Sequence, residues 1–186
     1  MRQRGRALVL IGFMGTGKSS AGREIARRLR LSRFDTDELV SARFGIPVAE
    51  IFQTHGEAKF RAAETEVLRE LNGGCEAVIV TGGGIVLKPE NIEELRRLGI
   101  IVRLTAGEET LFARITRRAT RPLLKTENPR ATMLELLHFR EPLYRAAADF
   151  EIDTTDLTHE RVADEVIRVW GEGGDVDERA AKAVAG

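Results

Sequence analysis

Gly12-Phe13-Met14-Gly15-Thr16-Gly17-Lys18-Ser19 fits the pattern G-x-x-x-x-G-K-[ST] at every fixed position. Each part has a physical role. Glycines let backbone N–H groups converge on phosphate oxygens, and the helix that follows adds the positive end of its dipole. Lys18 is placed to bridge β- and γ-phosphates. The Ser19 hydroxyl suits Mg²⁺, which takes oxygen ligands and keeps several waters. A chance match in a flexible glycine turn is roughly a one-in-a-hundred event for such a chain, and here the flanks also agree. Ala7–Ile11 is a continuous apolar run, as a strand buried on both faces would be. Ser19–Arg30 carries Ala21, Ile25, Ala26 and Leu29 on one helical face, with basic residues opposite. Strand, phosphate loop and helix in that order predict a nucleoside triphosphate site.

Outward from the loop, short apolar runs alternate with helical stripes. Phe34-Asp35 ends a second strand, and Thr36 or Asp37 is placed to cap a helix over Glu38–Phe44. A short helix follows at Pro47–Gln53, then Glu57–Leu71 with Phe60, Val67, Leu68 and Leu71 on one face, stopped by Asn72-Gly73-Gly74. Ala77–Val80 is a buried strand running into Thr81-Gly82-Gly83-Gly84. Pro89–Leu98 and Glu108–Arg118 are helical around a strand at Ile100–Leu104. Ala119–Asn128 is polar, holds Pro122 and predicts a loop. Pro129–Phe139 is helical, Phe150–Ile152 a short strand, and Glu160–Trp170 the last helix. The tail from Gly171 shows no apolar period, which predicts a flexible segment. The alternation implies an α/β fold: one domain, with a parallel sheet covered by helices on both faces.

With 29 Lys+Arg against 29 Asp+Glu in 186 residues, the chain lacks the basic excess of a dedicated nucleic-acid binder. One cysteine cannot make an intrachain disulfide, which suits a reducing compartment. No apolar run approaches the roughly 18–20 residues that cross a bilayer. Basic Met1–Arg6 before apolar Ala7–Met14 imitates a signal peptide, but the run ends in Gly15–Ser19 without a small-residue cleavage pattern. A cytoplasmic location is the expectation.

A phosphate loop alone does not separate a switch, a motor and a kinase. The Asn-Lys-x-Asp guanine reader of a GTPase is missing, and the strand at Ala77–Val80 ends in Thr81 and glycines instead of a motor's metal-binding acid. A small acceptor kinase needs an acceptor pocket, a carboxylate that orients the attacking hydroxyl, and a water-excluding lid. Asp35-Thr36-Asp37 falls at the carboxyl edge of the second strand, where ligands of open α/β sheets sit. Asp35 could hold Mg²⁺ through water and Asp37 could accept from a hydroxyl; equally, both acids could only cap the next helix. Arg61 and Arg140 could bind an anionic acceptor bidentately. Helical spacing also lets Arg61 pair with Glu57 and Glu64, and Arg140 could pair with Glu141 or sit free at a helix end. Three glycines after a strand, Gly82 to Gly84, suggest close approach of the backbone to a ligand. Arg121, in the polar loop, is either a lid arginine for a transferring phosphoryl group or a solvated charge. Cys75, His55, His138 and His159 have no metal-ligand spacing and are read as structural.

Taken together, Gly12–Ser19, Asp35-Thr36-Asp37, Phe60-Arg61 with Glu64, Thr81–Gly84, Arg121-Pro-Leu-Leu and Arg140-Glu-Pro-Leu-Tyr resemble the shikimate kinase family, in order and approximate spacing, from about residue 7 to 170. The resemblance implies a three-layer P-loop kinase fold with a five-stranded parallel sheet and a mobile lid at about residues 117–129. It implies a single kinase domain over residues 1–170, a tail at 171–186, and a monomer. It further implies transfer of the γ-phosphoryl group of MgATP to the 3-hydroxyl of shikimate, in aromatic amino-acid biosynthesis. Residue by residue, it assigns Lys18, Asp37 and Arg121 to catalysis. Gly15, Thr16, Gly17, Lys18, Ser19, Ser20, Arg114 and Arg121 fall to the nucleotide. Asp37, Arg61, Gly82, Gly83, Gly84 and Arg140 fall to shikimate, with Glu64 steadying the arginine network. Ser19, and Asp35 through water, fall to Mg²⁺. Ser20 stands where the family usually has Thr, and the stretch after Asp153-Thr154 lacks the proline often seen in the family's adenine loop. The alternatives are another small-molecule kinase of this fold, such as a gluconate kinase, or an ATP-binding regulatory module without transfer. Neither nucleic acid nor membrane is an expected partner.

Overall fold

The computed structural model describes residues 5–117 and 127–184, with side chains to residue 173. Five parallel strands form one sheet: β1 (Ala7–Ile11), β2 (Ser32–Asp35), β3 (Ala77–Val80), β4 (Gly99–Thr105) and β5 (Phe150–Asp153), in the order β2-β3-β1-β4-β5. β1 is central and wholly buried, which is why its sequence is apolar without alternation. Ala7, Val9 and Ile11 enter one core, whereas Leu8 and Leu10 enter the core on the opposite face. Helix α1 (Lys18–Leu29) and the last helix, α8 (His159–Val184), cover the Leu8/Leu10 face. α5 (Pro89–Leu98), α6 (Glu108–Thr116) and α7 (Pro129–Ala147) contribute to the other core. A third cluster joins α2 (Thr36–Phe44), α3 (Val48–Thr54) and α4 (Gly56–Glu70) through Val40, Ile51, Phe60 and Val67.

Register brings the functional segments to one edge. Leu10 pairs with Val80, and Val80 with Asp35. The residues that follow them are the glycine loop, Thr81–Gly84 and Thr36-Asp37, so all three leave the sheet side by side. Thr81 ties two of them directly, its N and Oγ1 both donating to Leu10 O at 3.2 and 3.0 Å.

Three boundaries differ from the sequence expectation. The cap of α2 is neither Thr36 nor Asp37 but Asp35, whose side chain accepts from Asp37 N. α7 continues through Pro142 to Ala147. Its buried stripe, Met133, Arg140, Tyr144 and Ala147, includes a cation, and the carbonyl that Pro142 deprives of a bond belongs to exposed His138. α8 runs beyond Trp170 to Val184. There Gly173 lies so close to Ile100 and Phe150 that a Cβ would stand 2.8 Å from Ile100 Cδ1, which accounts for a glycine at that helical position.

Candidate active site

The glycine loop wraps the mouth of a cleft of about 510 Å³ that Lys18, Ser19, Asp35, Asp37, Gly82 and Gly83 help to line. Gly12 and Gly17, the fixed glycines of the motif, have φ of 140° and 93°, and Gly15 between them has 86°; L side chains rarely adopt such values, so the backbone requires glycine at all three. Lys18 Nζ donates to Gly12 O and Phe13 O at 2.8 and 2.9 Å, which folds the ammonium back over the loop. Thr16 is buried and its hydroxyl donates to Phe13 O at 2.9 Å, so it braces the loop. Ser19 and Ser20 open α1 on the cleft wall.

On the β2 side, Asp35 is buried, accepts from Asp37 N at 3.1 Å and lies 3.3 Å from Arg33 Nη1. Burial, aided by nearby Glu38, raises its pKa above the usual aspartate value. Asp37 is half-buried beside the glycine turn: a Cβ on Gly82 would fall well inside contact distance of its carboxylate. Thr36, fully buried, accepts from Gly82 N at 3.0 Å and so fixes the distance between the two segments.

Both expected arginines reach the same turn. Arg61, on α4, is 8% exposed and its guanidinium occupies the space where a Gly84 side chain would stand. It donates to Glu57 Oε1 at 3.1 Å and to Glu64 Oε2 at 2.5 Å, so the helical pairs that its spacing allowed do form. Arg140, on α7, is 5% exposed and donates to Gly83 O at 3.2 Å. It sits in a helix interior, not free at a helix end, and its neighbour Glu141 bonds Arg103. Nε of Arg140 and Oε1 of Glu64 are buried polar atoms with no hydrogen-bond partner among the described residues. Glu64 is fully buried; desolvation raises its pKa to about 7, Arg61 opposing the shift and Asp37 adding to it.

At the other end of the cleft, Arg114 Nη2 donates to Thr154 O at 2.7 Å and Nη1 to Thr154 Oγ1 at 3.0 Å. Thr154 Oγ1 in turn donates to Thr16 O at 3.1 Å. Arg114 thus anchors the segment after β5 against the glycine loop. His159 also lines this end, so it stands in the cleft and not only in the frame. Arg121, and the expected lid from residue 118 to 126, lie outside the described residues. Among the described residues no group of three or more His, Cys, Asp or Glu could hold a metal ion, and no helix is long and apolar enough to cross a membrane.

Sequence reading missed Thr36, Tyr144 and Arg103 as structural partners of the site. Thr36 and Tyr144 lie inside motifs that were read for their charged members. Tyr144 donates its hydroxyl to Gly83 O beside Arg140.

A phosphate loop, a carboxylate at a glycine turn and two buried arginines on that turn are the equipment of a kinase with an anionic hydroxylated acceptor. Several known proteins are similar to this chain. A shikimate kinase of Caldanaerobacter subterraneus subsp. tengcongensis is 46% identical over 163 residues, covering 88% of this chain and 95% of that one. A shikimate kinase of Thermodesulfovibrio yellowstonii is 44% identical over 163 residues, covering 88% and 94%. The solved structure of shikimate kinase from Acinetobacter baumannii in complex with shikimate superposes with a TM-score of 0.83 at 34% identity, covering 90% of this chain and 93% of that one. The model of the family described as shikimate kinase matches residues 14–170, and the chain belongs to that family.

Proposed function

We propose that the chain transfers the γ-phosphoryl group of ATP to the 3-hydroxyl of shikimate, giving shikimate 3-phosphate and ADP. The observation that carries this reading is the convergence of Asp37, Arg61 and Arg140 on Gly82–Gly84, next to Lys18 and the glycine loop.

The loop amides and Lys18 hold the triphosphate and take up charge on the transferring group. Arg61 and Arg140 pair with the acceptor carboxylate, which fixes the ring so that one hydroxyl faces the γ-phosphorus. Asp37 accepts that hydroxyl's hydrogen bond and, as the new P–O bond forms, its proton. Glu64 keeps Arg61 aimed at the turn, and Arg114 steadies the nucleotide end. Arg121 is assigned to phosphate charge by its place in the sequence alone.

The donors suit Mg²⁺: the Ser19 hydroxyl and the Asp35 carboxylate are hard oxygens of residues that line one cleft. Asp35, whose burial disfavours its charge, gains from a nearby cation. Held there, the ion would offset negative charge on the triphosphate. A balance of 29 basic and 29 acidic side chains supports a small-molecule partner over nucleic acid. One chain carries every group named, so a monomer suffices.

The test is ADP release from MgATP with shikimate, gluconate and nucleoside monophosphates offered separately. Release dependent on shikimate alone is expected. Release with a different acceptor would keep the phosphate loop and overturn the arginine and glycine roles. ATP binding without acceptor-dependent release would leave a binding module.

A further inference from the structure

β4 carries a cation where its register calls for an apolar side chain. Ile101 enters the core beneath α7, and Arg103, two residues on along the strand, shares that face. Arg103 is 3% exposed. Its Nη1 donates to Glu151 of β5 at 2.8 Å and its Nη2 to Glu141 of α7, while its Cζ lies 5.8 Å from the Tyr144 ring centroid. Its Nε has no partner among the described residues. A buried cation with an unmet donor is a poor device for stability alone, since an apolar residue of similar volume often holds a core as well or better. What the guanidinium does do is tie β4, β5 and α7 together. Arg140 precedes Glu141 on α7, Tyr144 follows it within one turn, and both donate to Gly83 O. Tyr144 is therefore held at both ends, ring on Arg103 and hydroxyl on the glycine turn. Burial pushes that hydroxyl's pKa up to about 12, which keeps it a donor, and the bond from Arg103 holds the Glu141 carboxyl below its usual range.

We propose that Arg103 is a positioning residue of the acceptor site: through Glu141 and the Tyr144 ring it sets the rotation of α7 that places Arg140 and Tyr144 on the Gly83 carbonyl. It acts through α7 and not on the acceptor, and it rests on the reading of Arg140 as an acceptor-binding group.

The test compares steady-state kinetics of Arg103→Met, Glu141→Gln, Arg140→Ala and the Arg103→Met/Arg140→Ala double variant, with thermal midpoints for each. Arg103→Met is expected to raise KM for shikimate about ten-fold, the scale of coupling within one network, with KM for ATP inside about two-fold. In the Arg140→Ala background the same change is expected to add less than about two-fold, because the residue it acts through is gone. Equal rises in both KM values, or full additivity in the double variant, would overturn the proposal by making Arg103 a general packing residue. Should Arg103→Met fail to fold, Glu141→Gln decides, since it leaves Arg103 paired with Glu151: a rise in shikimate KM alone supports the proposal, and none overturns it. An unchanged shikimate KM in Arg140→Ala would instead overturn the acceptor-site reading itself.

Discussion

Glu64 Oε2 accepts from Arg61 Nη1 one turn back on α4, and Glu64 Oε1, with no hydrogen-bond partner among the described residues, stands 3.0 Å from where a Gly82 side chain would begin. The buried pair thus presses directly on the glycine turn, and its protonation state has consequences for both stability and acceptor binding. The Glu64 pKa of about 7 lies above the ordinary 4.5 because desolvation outweighs Arg61. Between those two values the folded state binds more protons than the unfolded chain, so this group's contribution is complete below about 4.5 and is lost as pH rises through about 7. Thermal midpoints of the wild type, measured relative to Glu64→Gln, are expected to fall as pH is raised from 5 to 8. A constant difference across that range would show that Glu64 titrates normally.

Arg61→Ala and Arg140→Ala are each expected to weaken shikimate binding by about 1.5–3 kcal/mol, the scale of a charge-assisted pair, while leaving ATP binding nearly intact. An unchanged KM for shikimate in both would remove the carboxylate assignment.

The same two variants should differ in stability. Arg61→Ala strands a fully buried carboxylate, at a cost of about 3–5 kcal/mol above neutral pH and less below it, where Glu64 takes up a proton. Arg140→Ala leaves no such charge behind. Calorimetry should therefore show a larger loss for Arg61→Ala, recovered in part by Arg61→Ala/Glu64→Gln; equal losses would mean that Glu64 finds another partner.

Asp37→Asn keeps the shape of the side chain and removes its ability to take a proton. Turnover is expected to fall by about 10²–10⁴-fold with the thermal midpoint little changed. Wild-type turnover would take Asp37 out of the mechanism.

Gly82→Ala drives a methyl group into the Asp37 carboxylate and against Glu64 Oε1. Asp37 is short, with little room to yield, so acceptor-dependent turnover should be lost while nucleotide binding, measured by titration with ADP, persists. Loss of both would mean that the turn also carries the phosphate loop.

Much of this was legible in the residues. β1 and β3 read correctly because strands buried on both faces are continuous apolar runs, and the glycine loop because its motif lies between such a run and an amphipathic stripe. α7 beyond Phe139 was not legible, because its buried face uses Arg140 where a stripe needs an apolar residue and because Pro142 ordinarily ends a helix. The candidate residues were nameable, but their alternatives were real. Arg61 does form the salt bridges that helical spacing allows, and only the placement of its guanidinium over Gly84 adds the turn. Glu141 is claimed by a strand residue 38 positions away, a contact that local spacing cannot reveal.

The glycine turn has a polarity of its own. Gly82 O accepts from Ile85 N, Gly84 O from Leu87 N, and Gly83 O from both Tyr144 and Arg140. Every carbonyl of the three is thereby occupied from within the protein. In a planar trans peptide the N–H points opposite its carbonyl. A molecule arriving at this turn therefore meets peptides whose orientation the protein has already set, with Gly82 N itself donating to Thr36. Receiving at this turn falls instead to the Asp37 carboxylate beside Gly82, so the backbone sets the turn's direction and a side chain supplies its acceptor.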